Sequence, residues 1–222
     1  MVNATRSLGC CNVEKIPNCI DIRDESDVMI SAAQNNCLRV LYVGWVIPSK
    51  GVKELLEAMV QVDGASLTIV GPIIPQLSSG NSQWIHQIIE ELHLEEQVHL
   101  VGRLETEAVR QLYRQYDVLV MPSFQNKEAF PNVVLEAMEA SVPVVAFRIN
   151  AMLEIVRDGT DGFLIDGGDV GMLADRLRWL KNNPKERRRM GRSARERVTN
   201  LYSVERVTAM WVDLYKRAAD SD

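Results

Sequence analysis

The sequence predicts a single α/β domain, doubly wound and Rossmann-like, in which helices cover both faces of a parallel sheet and further helices follow at the C-terminus. Short apolar runs alternate with segments whose apolar residues recur at helical spacing. These runs are apolar along their whole length rather than at every second residue, as in strands buried on both faces. With 222 residues, of which 46% are hydrophobic, the chain can bury a sizeable core.

Six apolar runs are predicted to be strands, and most of them end at a glycine or a proline. They span residues 38–43, 66–70, 98–101, 118–121, 142–147 and 162–165. Helices are predicted from apolar residues at 3.6-residue spacing. They span residues 52–62, 82–92, 106–116, 131–140, 170–181, 185–198 and 203–219. A short segment at 152–156 is assigned neither to a helix nor to a strand. Upstream of the first strand, only residues 16–21 give a signal, as an extended piece that turns at Pro17 and Asn18.

The last predicted helix has a broad apolar stripe, and we expect most of it to cover the domain's own sheet. An exposed and adhesive stripe is the alternative. The stripe consists of Val204, Val207, Met210, Trp211, Leu214 and Tyr215.

The segment from Glu128 to Glu136 is the strongest candidate for a binding site. Pro131 suits the first position of a helix, where its missing donor costs nothing. The amides of residues 132–134 would then lie at the positive helix start without intrahelical partners, and would form a seat for an anion. Glu128 and Glu136 could accept hydrogen bonds from hydroxyl groups on either side, so a polyhydroxylated phosphate ester would satisfy the segment. Alternatively, both glutamates are solvated.

A second candidate lies in the loop after the first strand, where Gly44 precedes Lys50 and Gly51. The carboxyl ends of parallel strands share one edge of a sheet, and ligands bind beyond that edge. Lys50 would therefore lie near the anion seat, where a phosphate contact and a solvated charge are equally supported.

Composition and missing motifs exclude several classes of function. The net charge of -5 argues against nucleic acid as a partner. No dinucleotide or P-loop fingerprint follows a strand, and no cysteine pair or histidine has metal-ligand spacing, so neither a cofactor nor a metal site is predicted. Residues 1–19 lack an apolar signal core, so we expect a cytoplasmic protein. We expect the basic helix at 185–197 to be solvated, and a weak peripheral contact with an anionic membrane is the alternative.

Taken together and in order, these segments make the sequence resemble the C-terminal, donor-binding half of a GT-B glycosyltransferase of the large retaining family 4. The segments that carry this resemblance cover nearly the whole chain. They are YVG at 42–44 with SKG at 49–51, LTIVGP at 67–72, HLVGRL at 99–104, DVLVMPS at 117–123, the glutamates at 128 and 136, VPVVA at 142–146, EIVRDG at 154–159 and DGFLI at 161–165.

The resemblance implies transfer of a hexose from a UDP- or GDP-linked sugar, often without an obligatory metal. Glu128 would accept hydrogen bonds from the donor sugar, and Glu136 would bind the ribose hydroxyls. Lys50, beside Gly44, would stabilise the leaving diphosphate, and Arg103 would stack on the base. The remaining implied contacts, to the sugar and the distal phosphate, come from Phe130, Pro131, Asn132 and Val133.

Two departures from the family pattern affect the predicted function. Trp45 stands where an arginine usually shares the diphosphate with the lysine. The resemblance also covers only a donor half over residues 1–222, so we expect an acceptor half to be absent and an acceptor-domain chain to act as partner. The chain would then be a fragment, a truncated product or one subunit of a split enzyme. The alternative is a non-catalytic module that binds nucleotide sugars or docks a partner; a flavin or signalling module has only fold analogy in its favour.

Overall fold

A computed structural model of the chain describes residues 14–23, 37–78, 80–124 and 130–220. Six parallel strands form one sheet in the order β3-β2-β1-β4-β5-β6, which confirms the predicted doubly wound parallel sheet. The strands are β1 (Leu38–Val43), β2 (Ala65–Val70), β3 (Val98–Gly102), β4 (Val118–Met121), β5 (Val144–Phe147) and β6 (Gly162–Ile165).

The helices lie where the 3.6-residue periodicity predicts them, with small shifts at their ends. They are α1 (Val52–Met59), α2 (Trp84–Glu91), α3 (Thr106–Tyr113), α4 (Asn132–Glu139), α5 (Asn150–Ile155), α6 (Val170–Asn182), α7 (Pro184–Tyr202) and α8 (Val204–Ala219). Two short 3₁₀ helices, Pro48–Lys50 and Pro75–Leu77, lie in the loops after β1 and β2.

Two hydrophobic layers, one on each face of the sheet, hold these elements together. Alternate residues of β1 illustrate the division, since Val40 and Tyr42 pack with α1 and α6 while Leu41 packs with α4 and α7. Five strands, including the edge strand β6, are buried at nearly every position, as predicted for parallel strands covered on both faces. The exception is β3, an edge strand in which His99 and Val101 are exposed.

The expectation that the apolar stripe of α8 covers the sheet is wrong. Val207 is the only one of its six members that is buried, whereas Trp211 and Tyr215 are 44% and 67% exposed. The physical reason is that α8 packs mainly against α7 rather than against a strand. None of the helices in the described ranges combines the length and the apolar character that crossing a membrane requires.

Residues 14–23, which we call the N-terminal strap, run across the corner between α7 and α8. The amide of Ile20 donates to the carbonyl of Tyr202 at 2.8 Å, and the Ile20 carbonyl accepts from the amide of Val204 at 3.1 Å. The guanidinium of Arg195 donates to the carbonyl of Arg23. These hydrogen bonds to distant helices hold the strap in place.

Candidate functional site

A cleft of about 510 Å³ opens at the carboxyl ends of β1 and β4. These two strands are neighbours in the sheet, and the strand order runs outward from them in opposite directions. Such a switch point is where open α/β sheets bind ligands. The lining residues are Asn18, Val43, Gly44, Trp45, Lys50, Met121, Phe130, Pro131, Asn132 and Val133.

Close main-chain packing fixes the loops around the cleft. Gly51 adopts a left-handed φ of 70°, and a Cβ at this position would lie 1.8 Å from the carbonyl oxygen of Pro122. A Cβ at Gly71 would lie 1.8 Å from the carbonyl oxygen of Gly44. Glycine is required at both positions because backbone from a neighbouring loop occupies the space of a side chain. The position of Lys50, directly before Gly51, is therefore set by backbone contacts.

Lys50 is the positively charged residue among those that line the cleft, and it is the last residue of the 3₁₀ helix in the loop after β1. Its side chain is half-buried, and burial lowers the pKa of its ammonium group below the usual 10.5. Desolvation disfavours the charged form, and a bound anion would compensate for the lost hydration. The structure therefore places a partly desolvated positive charge in the cleft.

The start of α4 forms the opposite wall. Pro131 is the N-cap residue, and α4 begins at Asn132, so the proline precedes the first helical position by one residue. The amide of Val134 donates to the Pro131 carbonyl at 3.1 Å, which corrects the expectation that three amides lack an intrahelical partner. Pro131 supplies no side-chain cap. The amides of Asn132 and Val133 therefore remain at the positive end of the helix dipole, beside the cleft.

Asn18 is a lining residue that the sequence analysis did not assign to the site. Its side-chain amide donates to the carbonyl of Phe130 and to the Oδ1 atom of Asn132, both at 3.0 Å. The turn at Pro17 and Asn18 was the available local signal. Nothing in that signal indicates that the strap lies beside α4.

Glu136 lies one turn beyond Asn132 on α4, at a spacing that puts both residues on the same side of the helix. It is half-buried and does not line the cleft itself. The Tyr113 hydroxyl donates to Glu136 Oε2 at 3.0 Å. Burial, followed by the charge and the hydrogen bond of Glu136, raises the pKa of Tyr113 well above 10.0. Tyr113 therefore remains a proton donor, and the bond orients the carboxylate.

The structure brings together six of the predicted site residues, namely Gly44, Lys50, Phe130, Pro131, Asn132 and Val133. Arg103 is exposed directly after the edge strand β3 and is not part of the cleft lining. Glu128 lies outside the described residues. Among the residues that the structure does describe, no three His, Cys, Asp or Glu side chains form a group that could hold a metal ion.

The chain is a doubly wound α/β domain with a cleft at its switch point, and comparison with known proteins gives the family. The family described as "Glycosyl transferases group 1" matches residues 25–197. The chain belongs to this family of glycosyltransferases and forms a domain of the GT-B type.

Individual relatives agree with this assignment. The chain is 30% identical over 190 residues to D-inositol 3-phosphate glycosyltransferase of Corynebacterium efficiens, covering 82% of this chain and 43% of that protein. It is 31% identical to MMP alpha-(1->4)-mannosyltransferase of Mycolicibacterium hassiacum, covering 78% of this chain and 41% of that protein. The chain thus spans less than half the length of these curated relatives.

Solved structures confirm the fold. Sucrose-phosphate synthase from Thermosynechococcus elongatus superposes with a TM-score of 0.84 at 27% identity, over 96% of this chain and 54% of that one. Anabaena Alr3699/HepE, in complex with UDP and glucose, superposes with a TM-score of 0.81 at 24% identity, over 92% of this chain and 57% of that one.

Proposed function

We propose that the chain is the donor-binding half of a retaining hexosyltransferase that uses a UDP- or GDP-linked sugar. The observation that carries this proposal is the pairing of the half-buried Lys50 with the uncapped start of α4 across one cleft at the switch point. Both features favour the binding of an anion in the cleft. The family membership and the names of the relatives, which are glycosyltransferases, support the same substrate class.

In this proposal the diphosphate lies between Lys50 and the amides of Asn132 and Val133. Transfer breaks the bond between the anomeric carbon of the sugar and a phosphate oxygen, and the acceptor hydroxyl oxygen forms a new bond to that carbon as its proton is released. The nucleoside diphosphate leaves with the negative charge. Lys50 and the helix start would stabilise that charge as it develops, which is electrostatic catalysis. Gly44 lets the loop approach the phosphates closely, since it lines the cleft without a side chain.

Glu128 and Glu136 have separate roles in the proposal. Glu136 accepts hydrogen bonds from the ribose, and Glu128 accepts them from the hexose. Arg103 contacts the base from the edge of the sheet. Phe130 and Pro131, which directly precede α4, form the wall of the cleft against which the sugar lies. No metal or cofactor is part of this scheme.

Trp45 is expected to lower the rate of transfer, because it adds no positive charge beside the diphosphate. Trp45 is 54% exposed at the cleft, where the family usually has a second cation for the diphosphate. Loss of one such contact can lower a rate by about a hundredfold.

The acceptor hydroxyl, and the closing of the cleft that excludes water, are proposed to come from an acceptor domain that the relatives' additional length would include.

Calorimetric titration of two glutamate variants tests these roles. Glu136→Ala should weaken the binding of both the free nucleoside diphosphate and its hexose conjugate, because the ribose is common to both. Glu128→Ala should weaken only the conjugate. Glu91→Ala, which removes an exposed carboxylate at the end of α2, serves as the control. Equal affinities for the wild type and both site variants would overturn the assignment.

A further inference from the structure

The contact between Tyr113 and Glu136 joins two helices beside the cleft. Tyr113 is the last residue of α3 and is fully buried. Its hydroxyl donates to one carboxylate oxygen of Glu136, Oε2, at 3.0 Å. Within the described part of the chain, no other side chain is hydrogen-bonded to this carboxylate. The second oxygen, Oε1, therefore keeps its full capacity to accept hydrogen bonds.

The direction of this hydrogen bond is fixed. Burial and the adjacent negative charge keep the phenol protonated, and an ionised carboxylate can only accept. A hydrogen bond between a neutral donor and a charged acceptor is stronger than one between two neutral groups. Rotation of the Glu136 carboxylate would break this bond, so Tyr113 restricts the carboxylate to one orientation.

We infer that Tyr113 is a positioning residue, which holds Oε2 of Glu136 so that Oε1 faces the 2′,3′-diol of a bound nucleotide. The inference rests on the proposed function, and it deepens that function by assigning a residue on a different helix to the ribose contact. Two features support it. Glu136 lies one turn from Asn132, which lines the cleft, and a half-buried carboxylate restrained by a buried donor is pre-organised to bind a diol.

A purely structural role for Tyr113 makes a different prediction. A buried phenol generally needs a hydrogen-bond partner, and Glu136 would satisfy that need without any ligand. Removing the hydroxyl would then lower stability, and it would change the affinity for every nucleotide equally. A positioning role instead changes affinity only for ligands that carry the diol.

The test compares a nucleoside diphosphate with its 2′,3′-dideoxy analogue. The probe is whichever of UDP, GDP and ADP binds the wild-type chain most tightly, measured by calorimetry. Wild type should prefer the ribonucleotide. Tyr113→Phe should weaken ribonucleotide binding by about tenfold, the order expected for loss of a charged hydrogen bond, and leave dideoxynucleotide binding unchanged. Tyr116→Phe, a nearby substitution with no described hydroxyl contact, should change neither.

The outcomes separate this inference from the proposed function. If wild type binds no nucleoside diphosphate, the proposed function fails. If wild type binds the ribonucleotide and the dideoxynucleotide equally, the diol contact is absent and the inference fails even if Tyr113→Phe does not fold. An equal loss of affinity for the ribonucleotide and the dideoxynucleotide in Tyr113→Phe also overturns the inference. In a Glu136→Gln background, Tyr113→Phe should have no further effect on the preference for the diol.

Discussion

Asn18 and Asn132 are joined by a 3.0 Å hydrogen bond from the side-chain amide of the first to Oδ1 of the second, across 114 positions of sequence. The same amide also donates to the carbonyl of Phe130 at 3.0 Å. One residue of the N-terminal strap therefore fixes both the entry to α4 and the first side chain of that helix. The wall of the cleft that faces Lys50 is built from two distant parts of the chain.

Substitution of Asn18 should weaken nucleotide binding by loosening this wall. Each lost hydrogen bond corresponds to about 0.5–1.5 kcal/mol, so Asn18→Ala should weaken binding of the best nucleoside diphosphate by roughly two- to tenfold for each of its two bonds. Calorimetric titration of both chains with the nucleoside diphosphate measures this change in affinity. Asn183→Ala is the matched control, because it removes an amide that donates to the Trp179 carbonyl at the end of α6. An unchanged affinity in Asn18→Ala would contradict the account.

The affinity of the cleft for a diphosphate should depend on the protonation of Lys50. Burial lowers the pKa of this group below 10.5 in the free chain, and a bound dianion would raise it again. Affinity is therefore full below the free-chain pKa, and it falls as the pH rises through that value. Lys50→Arg should abolish the decline, since arginine stays charged over this range.

Titrations of the nucleoside diphosphate at increasing pH provide the measurement. The control is Lys53→Arg, because Lys53 is exposed and pairs with Glu57 at 3.6 Å. That variant should keep the wild-type decline. Persistence of the decline in Lys50→Arg would show that another group is responsible.

Gly51→Ala should destabilise the fold far more than the same change at Gly159. Both glycines have a left-handed φ, of 70° and 73°, but a Cβ at Gly51 would clash with the Pro122 carbonyl while Gly159 faces open space. Gly159→Ala should cost about 1–2 kcal/mol, the cost of the backbone conformation alone. Gly51→Ala should cost at least about twice that, because a loop must also move. The free energy of unfolding in denaturant gives both values, and similar values would argue against the tight packing of these loops.

Much of the fold could be predicted from the sequence because buried parallel strands are apolar along their whole length. The bounds of β1, β4 and β6 agree with the prediction to the residue. β5 begins at Val144 rather than at residue 142, since Pro143 lacks the N–H that a ladder requires. The stripe of α8 was assigned to the wrong environment, because helical periodicity shows that an apolar face exists but does not show which neighbour covers it.

The candidate site could be predicted to the extent that topology alone places residues together. Gly44, Lys50 and residues 130–133 follow strands that end at the same edge, so their meeting in one cleft was expected. Asn18 and Tyr113 could not be found in this way. Their contacts to Asn132 and Glu136 join distant segments through tertiary packing, and no local pattern indicates such a contact.

The most direct test of the central claim is calorimetric titration of the wild-type chain and of Lys50→Ala with UDP, GDP, ADP and their common hexose conjugates. The proposed donor-binding role predicts saturable binding of one nucleotide and its conjugate at one site per chain. In Lys50→Ala this binding should be lost, because the cation of the cleft lining is removed. Absence of binding to any of these ligands, or undiminished binding in Lys50→Ala, would contradict the assignment of this cleft as a nucleotide-sugar site.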